Sequence, residues 1–340
     1  MNKGCLPSGS QGSGQSRALP AALCWIALFI IGLGLGLIGF MEYLETRNLT
    51  VDMPLEQLFS YKFISYANLL LIGSTILYVA HLWFTARAVG LWATSLATIG
   101  ALGLVAGLVA RGAETYFMHR TGGIPLTSLY EVMSLFSAIT VLIYLVMERA
   151  YRTRSAGAFV MPIVAAAVLF EEWQVSNEQV TAGDHFSILH SYWIHAHVLA
   201  NFIGYGAFAV AAAMGVMYLL RHNAENHRLA QGFAMHVLPD LSSIDRLMHQ
   251  AISLGFPMFT FATILGVTSA NEAWGRYWAW DPKETWALIV WMTYASYFYL
   301  HYAKKWRGVR MAWWTIIGFG LTVFCFVGVN LFFTVLHSYR

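Results

Sequence analysis

Residues 274–286 read WGRYWAWDPKETW and place Trp274, Trp278, Trp280 and Trp286 within thirteen positions. Part of this stretch is ordinary helix grammar. Asp281 can cap a helix start, Pro282 suits the first helical position, and Glu284 completes a capping box. Indoles also anchor helices at a bilayer surface, since each has an apolar body and one N–H donor. Neither reason accounts for Trp274, Trp278 and Trp280, which precede that helix and cluster with Gly275 in a short turn. Several flat apolar faces there form a shelf for a large planar ligand, with Arg276 and Lys283 nearby for its carboxylates.

A flat, apolar ligand with acidic edges in a membrane protein points to heme, and heme needs axial ligands. The chain has twelve histidines. His119, His185, His222, His227, His236 and His249 fall in or beside polar loops and read as exposed side chains. His190, His195 and His197 look like a metal cluster, but residues two apart on a helix face nearly opposite ways. His190 and His197 share a face yet lie about 10.5 Å apart along the axis, which disfavours zinc and leaves room for one heme ligand. His197 begins one apolar span and His337 follows the last, both level with the tryptophan shelf. His301 closes a span at its other end, 15 residues beyond Trp286, or about 22 Å of helix. An ionisable residue on a membrane helix marks a functional site, although snorkelling explains one near a helix end equally well.

These residues must be positioned by a membrane scaffold. Of 340 residues, 58% are hydrophobic and 11% charged, and mean hydropathy is +0.57, whereas a soluble globule carries about 25% charged residues. A net charge of +3, dispersed along the chain, gives no footprint for nucleic acid. Cys5, Cys24 and Cys325 form no CxxC, so neither a disulfide framework nor thiol redox chemistry is indicated. The apolar runs predict an all-α polytopic membrane protein of eight to nine spans, near 19–41, 61–84, 89–110, 128–147, 156–170, 194–220, 249–270, 285–303 and 311–336. The first follows a Ser/Gly-rich tail (1–18), lacks a small-residue cleavage site and reads as a retained helix. No segment between spans is long enough for a separate soluble domain, and no internal repeat is visible.

With this topology, thirteen of the twenty Lys and Arg residues fall on one side, that of the tail and 304–310. That side is expected to be cytoplasmic or stromal, which puts the tryptophan loop and the C-terminus outside. No residue reads as a general acid or base, and Glu131, three after Ser128, fits a capping box.

The stretch WGRYWAWDPKETWALIVW closely resembles the WWD signature of heme-handling proteins, and its DPKET ending resembles the CcsA (ResC) family of System II cytochrome c biogenesis. IPLTSLYEVMSLFS (124–137), LHSYWIHAHVLANFIGYGAF (189–208), ISLGFPMFTFATILGV (252–267) and GVNLFFTVLHSY (328–339) are similar to CcsA segments in the same order. The resemblance divides the chain into a flexible tail (1–18), N-terminal transmembrane helices (19–120) and a CcsA-like assembly domain (121–340) with the WWD loop at 271–286.

The resemblance implies that His197 and His337 are axial ligands of an external heme b, bound without covalent attachment and packed by Trp274, Gly275, Trp278, Trp280 and Asp281. It implies a second heme position nearer the cytoplasm at His301, whose opposite ligand comes from the partner CcsB (ResB); His81, at the inner end of the second span, is a rival for that ligand. His195 and His190 are neighbours that compete with His197 for the first role. The implied function is heme export and presentation to the CxxCH segment of apocytochrome c, as part of a heme lyase complex that thiol-reducing proteins of the pathway also serve. The implied location is a bacterial inner membrane or a plastid thylakoid membrane. A System I WWD protein (CcmC- or CcmF-like), a bis-histidine b-type cytochrome and a heme-free transporter are the competing readings. The cytochrome would pair its histidines on the same helices of a four-helix bundle, and the transporter would carry broken helices with midplane charges.

Overall fold

About twenty apolar residues in a bilayer leave the backbone no hydrogen-bond partner but itself, so each such run must close into a helix. A computed structural model describes residues 57–119, 126, 128–177, 192–226 and 237–333. The expected tail 1–18, the expected span 19–41, His190 and His337 lie outside the described residues. Every regular element among the described residues is helical: α1 (Phe59–Phe84), α2 (Arg87–His119), α3 (Leu129–Tyr151), α4 (Gly157–Asn177), α5 (Tyr192–Asn226), α6 (Leu241–Trp274), α7 (Pro282–Tyr302) and α8 (Val309–Val323). A π-helical turn (Phe324–Gly328) then carries α8 into the short α9 (Val329–Phe332). Seven of these rods, α1 to α6 and the α8–α9 rod, are long and apolar enough to cross a membrane. The expected span 285–303 is α7, 21 residues long and richer in tyrosine than the others. The protein is a polytopic helical membrane protein.

Several helices run past their expected limits, and two of these extensions place polar residues. The span expected at 156–170 continues to Asn177, because Glu171 and Gln174 turn into the bundle and are buried. The span expected at 249–270 begins at Leu241, where Asp240 caps α6 and accepts from the Ser243 amide at 3.1 Å. Hydrogen bonds from Ser242 and Ser243 hold the Asp240 carboxyl down at about 2. The extension carries His249 into the third turn of α6, away from the loop position the sequence suggested.

Polar contacts join the first four helices. Glu114 of α2 accepts from the Ser60 amide at 3.1 Å, and Glu171 of α4 accepts from Ser134 at 2.9 Å and Asn68 at 3.2 Å. Glu148 of α3 accepts from Tyr78, Tyr144 and Thr94, each at 2.6 Å. Ser128 and Glu131 form the expected capping box, and the second oxygen of Glu131 pairs with buried Arg111 at 2.9 Å. Glu131 is thus fully occupied in structure.

The second half is organised by α5. It packs along α6 for most of its length and meets α8, α3 and α4 on its other faces. The α5–α6 approach is close enough that a Cβ at Gly204 would lie 3.1 Å from that of Phe259. Phe208 of α5 stacks on Tyr294 of α7 at 3.6 Å, inside the same core. The turn between α6 and α7 is the tryptophan loop, so its two supports are the helix that packs best on α5 and the helix that follows.

Candidate functional site

The loop begins where α6 stops. Gly275 takes a left-handed φ of 69° and its amide closes the helix onto Asn271 O at 2.9 Å. Trp274 is therefore the last residue of α6, whereas the sequence suggested a position in the turn. At the far end Asp281 is the N-cap of α7, Pro282 its first residue, and the capping box with Glu284 is complete. One oxygen of Glu284 accepts from the Ala279 amide at 2.8 Å and the Asp281 amide at 3.3 Å, so the same carboxylate shapes the loop and starts the helix.

Between these ends the tryptophans are held in an unusual way. Trp280 has φ 56°, a left-handed conformation that costs an L-residue about 1–2 kcal/mol, and its ring is 70% exposed. Trp278 meets Trp280 edge to face at 5.8 Å, and its Nε1 is buried with no hydrogen-bond partner among the described residues. Tyr277 is also exposed. A membrane anchor needs neither backbone strain nor a buried, unsatisfied N–H. Trp286, by contrast, packs on Phe324 of the π turn at 4.4 Å and belongs to the scaffold. Arg276 is exposed, but Lys283 turns inward and donates to Asn330 Oδ1 at 3.3 Å. Lys283 sits in the first turn of α7, ahead of the span 285–303; burial pushes its ammonium down to about 8, against the opposing pull of Cys325 and Asp281.

His197 lies in the second turn of α5 and reaches across to α6. Its Nδ1 bonds the carbonyl of Ala262 at 2.6 Å, and its ring lies against Gly266, where a Cβ would approach Cε1 to 2.8 Å. A carbonyl can only accept, so Nδ1 carries the proton and Nε2 is the lone-pair nitrogen, the arrangement found at metal-binding histidines. Gly266 lies eight residues before Trp274, so His197 meets α6 roughly 12 Å before the loop, deeper than the level the sequence suggested. His195, two residues earlier, faces another side of α5.

At the opposite end of α7, His301 is 6% exposed and its Nδ1 is buried with no hydrogen-bond partner among the described residues. Its ring stacks on that of His249 from α6 at 3.9 Å and 6°. His249 in turn bonds Tyr302 OH at 3.1 Å and approaches Tyr297 OH at 3.4 Å. The sequence alone reads His249 as a loop histidine; its i, i+4 relation to Asp245 on a longer α6 is the signal that places it on the helix. His81, the alternative neighbour for His301, bonds Ala86 O at 3.2 Å and packs against Gly90 near Arg154. Among the described residues, the rings around His301 are those of His249, Tyr297 and Tyr302.

The model of the cytochrome c assembly protein family matches residues 126–337, which contain the loop and both histidine-bearing ends. The chain belongs to that family. It is 33% identical over 235 residues to the cytochrome c biogenesis protein CcsA of Guillardia theta, covering 64% of this chain and 77% of the relative. It is 31% identical over 240 residues to CcsA of Synechococcus sp. (strain CC9902), covering 65% and 79%, and 30% identical over 226 residues to CcsA of Chlamydomonas reinhardtii, covering 65% and 62%. This CcsA-family chain is a membrane component of System II cytochrome c biogenesis. Its family match starts at the head of α3, so α1 and α2 lie outside the matched segment.

Proposed function

We propose that this CcsA-family protein moves heme b from the cytoplasmic (or stromal) side to the external face and presents it there to the CxxCH segment of apocytochrome c, in complex with CcsB. The observation that carries this reading is the pinned His197: its Nδ1 is committed to Ala262 O on the helix that ends in the tryptophan loop, which aims Nε2 as a ligand. His337 supplies the second external ligand. The exposed Trp280 and the unsatisfied Nε1 of Trp278 support contact with heme at the loop. On the opposite side His301 takes heme first, and its unpartnered Nδ1 supports a ring kept for a ligand.

The chain's own residues orient and shield. Each cysteine S–H of the substrate adds across one heme vinyl C=C, so a thioether forms with no net oxidation and the protein supplies position rather than a proton-transfer group. The membrane is a bacterial inner membrane or a plastid thylakoid membrane, with the loop outside.

The deciding experiment is coexpression with a matching CcsB and a CxxCH reporter in cells lacking their own pathway. Covalent reporter cytochrome c is expected, together with acid-acetone-extractable heme on the purified protein showing sharp low-spin bands of bis-histidine iron. A reporter that stays apo, or pigment that resists extraction, overturns the reading.

A further inference from the structure

On the face opposite the tryptophan loop, the ends of α5, α6 and α8 and the turn after α7 line an open depression of about 810 Å³. Lys304, Lys305, Arg307 and Arg310 line it against one carboxylate, Asp245. None of the four cations forms an ion pair: the ion pairs of the described residues are Arg111–Glu131, Arg154–Glu148 and Arg221–Glu225. Asp245 is engaged with the Gly308 amide at 3.3 Å.

A basic loop on this face would be unremarkable if it were merely a topology signal. This one is built. Lys305 and Gly308 are both left-handed, at φ 54° and 69°, and the Trp306 amide reaches back to Leu300 O at 3.0 Å. A Cβ at Gly308 would come within 2.8 Å of Tyr218 OH, so the close approach of the turn to α5 requires a glycine there. Arg310 lies over the Trp306 ring at 5.2 Å.

Two residues of its lining, Arg307 and Asp245, also connect it to the histidine pair. Arg307 donates to the backbone carbonyl of His301 at 3.1 Å, and Asp245 stands one turn before His249 on α6. A planar ligand whose metal sits at His301 and whose acidic edge points out of the bilayer would bring that edge to Lys304 and Lys305, three and four residues farther along the chain. We propose that this pocket receives the heme carboxylates, on Lys304, Lys305 and Arg310, while Arg307 stays tied to His301. It is the loading site of the heme-handling reading and rests on it. Carboxylates gain charge-assisted hydrogen bonds here, and the adjoining apolar macrocycle would lie against half-buried Phe298 and exposed Tyr302, which stack on each other.

The test uses the full chain coexpressed and purified with CcsB, carrying His197→Gly and His337→Gly so that only the His301 side reads. Heme and heme dimethyl ester, whose carboxylates are masked, are titrated by Soret absorbance. The expected result is heme binding about tenfold tighter than the ester, and a fall of heme to the ester's affinity in Lys304→Gln/Lys305→Gln. The ester's own affinity stays constant, which shows that the His301 side is folded, and Lys304→Arg/Lys305→Arg keeps the preference. Equal binding of heme and ester by the parent, or a preference that survives Lys304→Gln/Lys305→Gln, overturns the proposal alone. Failure of the parent to bind either compound overturns the heme reading of His301 as well. Loss of phosphatidylglycerol binding in Lys304→Gln/Lys305→Gln with the heme preference intact assigns the pocket to a lipid headgroup and also overturns it.

Discussion

His197 and His301 stand toward opposite faces of the molecule and are held by opposite means. The first is fixed by a hydrogen bond from Nδ1 to a backbone carbonyl at 2.6 Å, which sets its tautomer and the direction of its other nitrogen. The second is fixed by a ring stack at 3.9 Å on His249, which sets the plane of the imidazole while its Nδ1 keeps no partner. A backbone acceptor cannot be exchanged, whereas a stack tolerates either tautomer and small rotations of the ring. Under the proposed heme-handling function, the difference suits one station that presents cargo in a fixed orientation and another that takes it up and releases it.

The largest expected effect breaks the fixed station. His197→Gly is expected to abolish or greatly reduce covalent cytochrome c formation in the CcsB coexpression assay while the protein stays in the membrane. Millimolar imidazole should restore it by entering the hole beside the iron. His337→Gly should behave alike, and His190→Gly and His195→Gly should remain active. Full activity of His337→Gly without imidazole sinks the external bis-histidine pair.

The stacked station should give a graded response. His301→Gly is expected to lower delivery, with weaker imidazole rescue because that site is remote from the external face. His249→Phe keeps a flat ring against His301 and should retain most of the heme bound on that side, whereas His249→Ala removes the stack and should lose more, as read by extracted heme per protein. If the Phe variant fails as badly as the Ala variant, the bond from His249 to Tyr302 at 3.1 Å holds the station, and the contrast with His197 narrows.

Much of this contrast was legible before the structure and part was not. The WWD loop and the Asp281 cap follow from motif and span order, because caps and apolar runs are local signals, whereas the depth of His197 does not. His249 was missed because apolar length alone sets a span's start, and α6 begins eight residues earlier on an Asp240 cap inside a charged stretch. The pinning of His197 was invisible for a different reason: it depends on Ala262 and Gly266 of another helix, brought up by the close α5–α6 approach. Lys283 was expected to face a ligand and instead reaches Asn330, since the π turn brings α9 over the start of α7.

The loop itself allows a finer separation of ring from backbone. Trp280→Ala and Trp280→Gly both remove the indole and should loosen heme equally, leaving the spectrum of any heme that remains unchanged. Only the glycine relieves the left-handed φ of 56°, so thermal unfolding in detergent should find it more stable than the alanine by about 1 kcal/mol. Asp281→Ala should weaken the start of α7 by about 0.5–2 kcal/mol through loss of the cap, with a smaller fall in cytochrome c yield than either tryptophan change. Normal yields from Trp278→Ala, Trp280→Ala and Asp281→Ala together would reduce the loop to a membrane anchor.

The smallest effect concerns the charge at the foot of the loop. Burial holds Lys283 at about 8, below the ordinary lysine value of about 10.4, so the folded protein binds fewer protons than the unfolded chain between those limits. Stability contributed by this group must therefore rise with pH across that window. Below about 8 the ammonium persists in both states and its full burial cost stands. Lys283→Met removes the cost and should flatten the rise, so the variant's advantage in unfolding temperature should be larger at about pH 7 than at about pH 10. A Lys283→Met variant that is less stable at pH 7 would instead make the bond to Asn330 the stronger term, and the external end of α7 would then be held by its charge as firmly as His197 is held by Ala262.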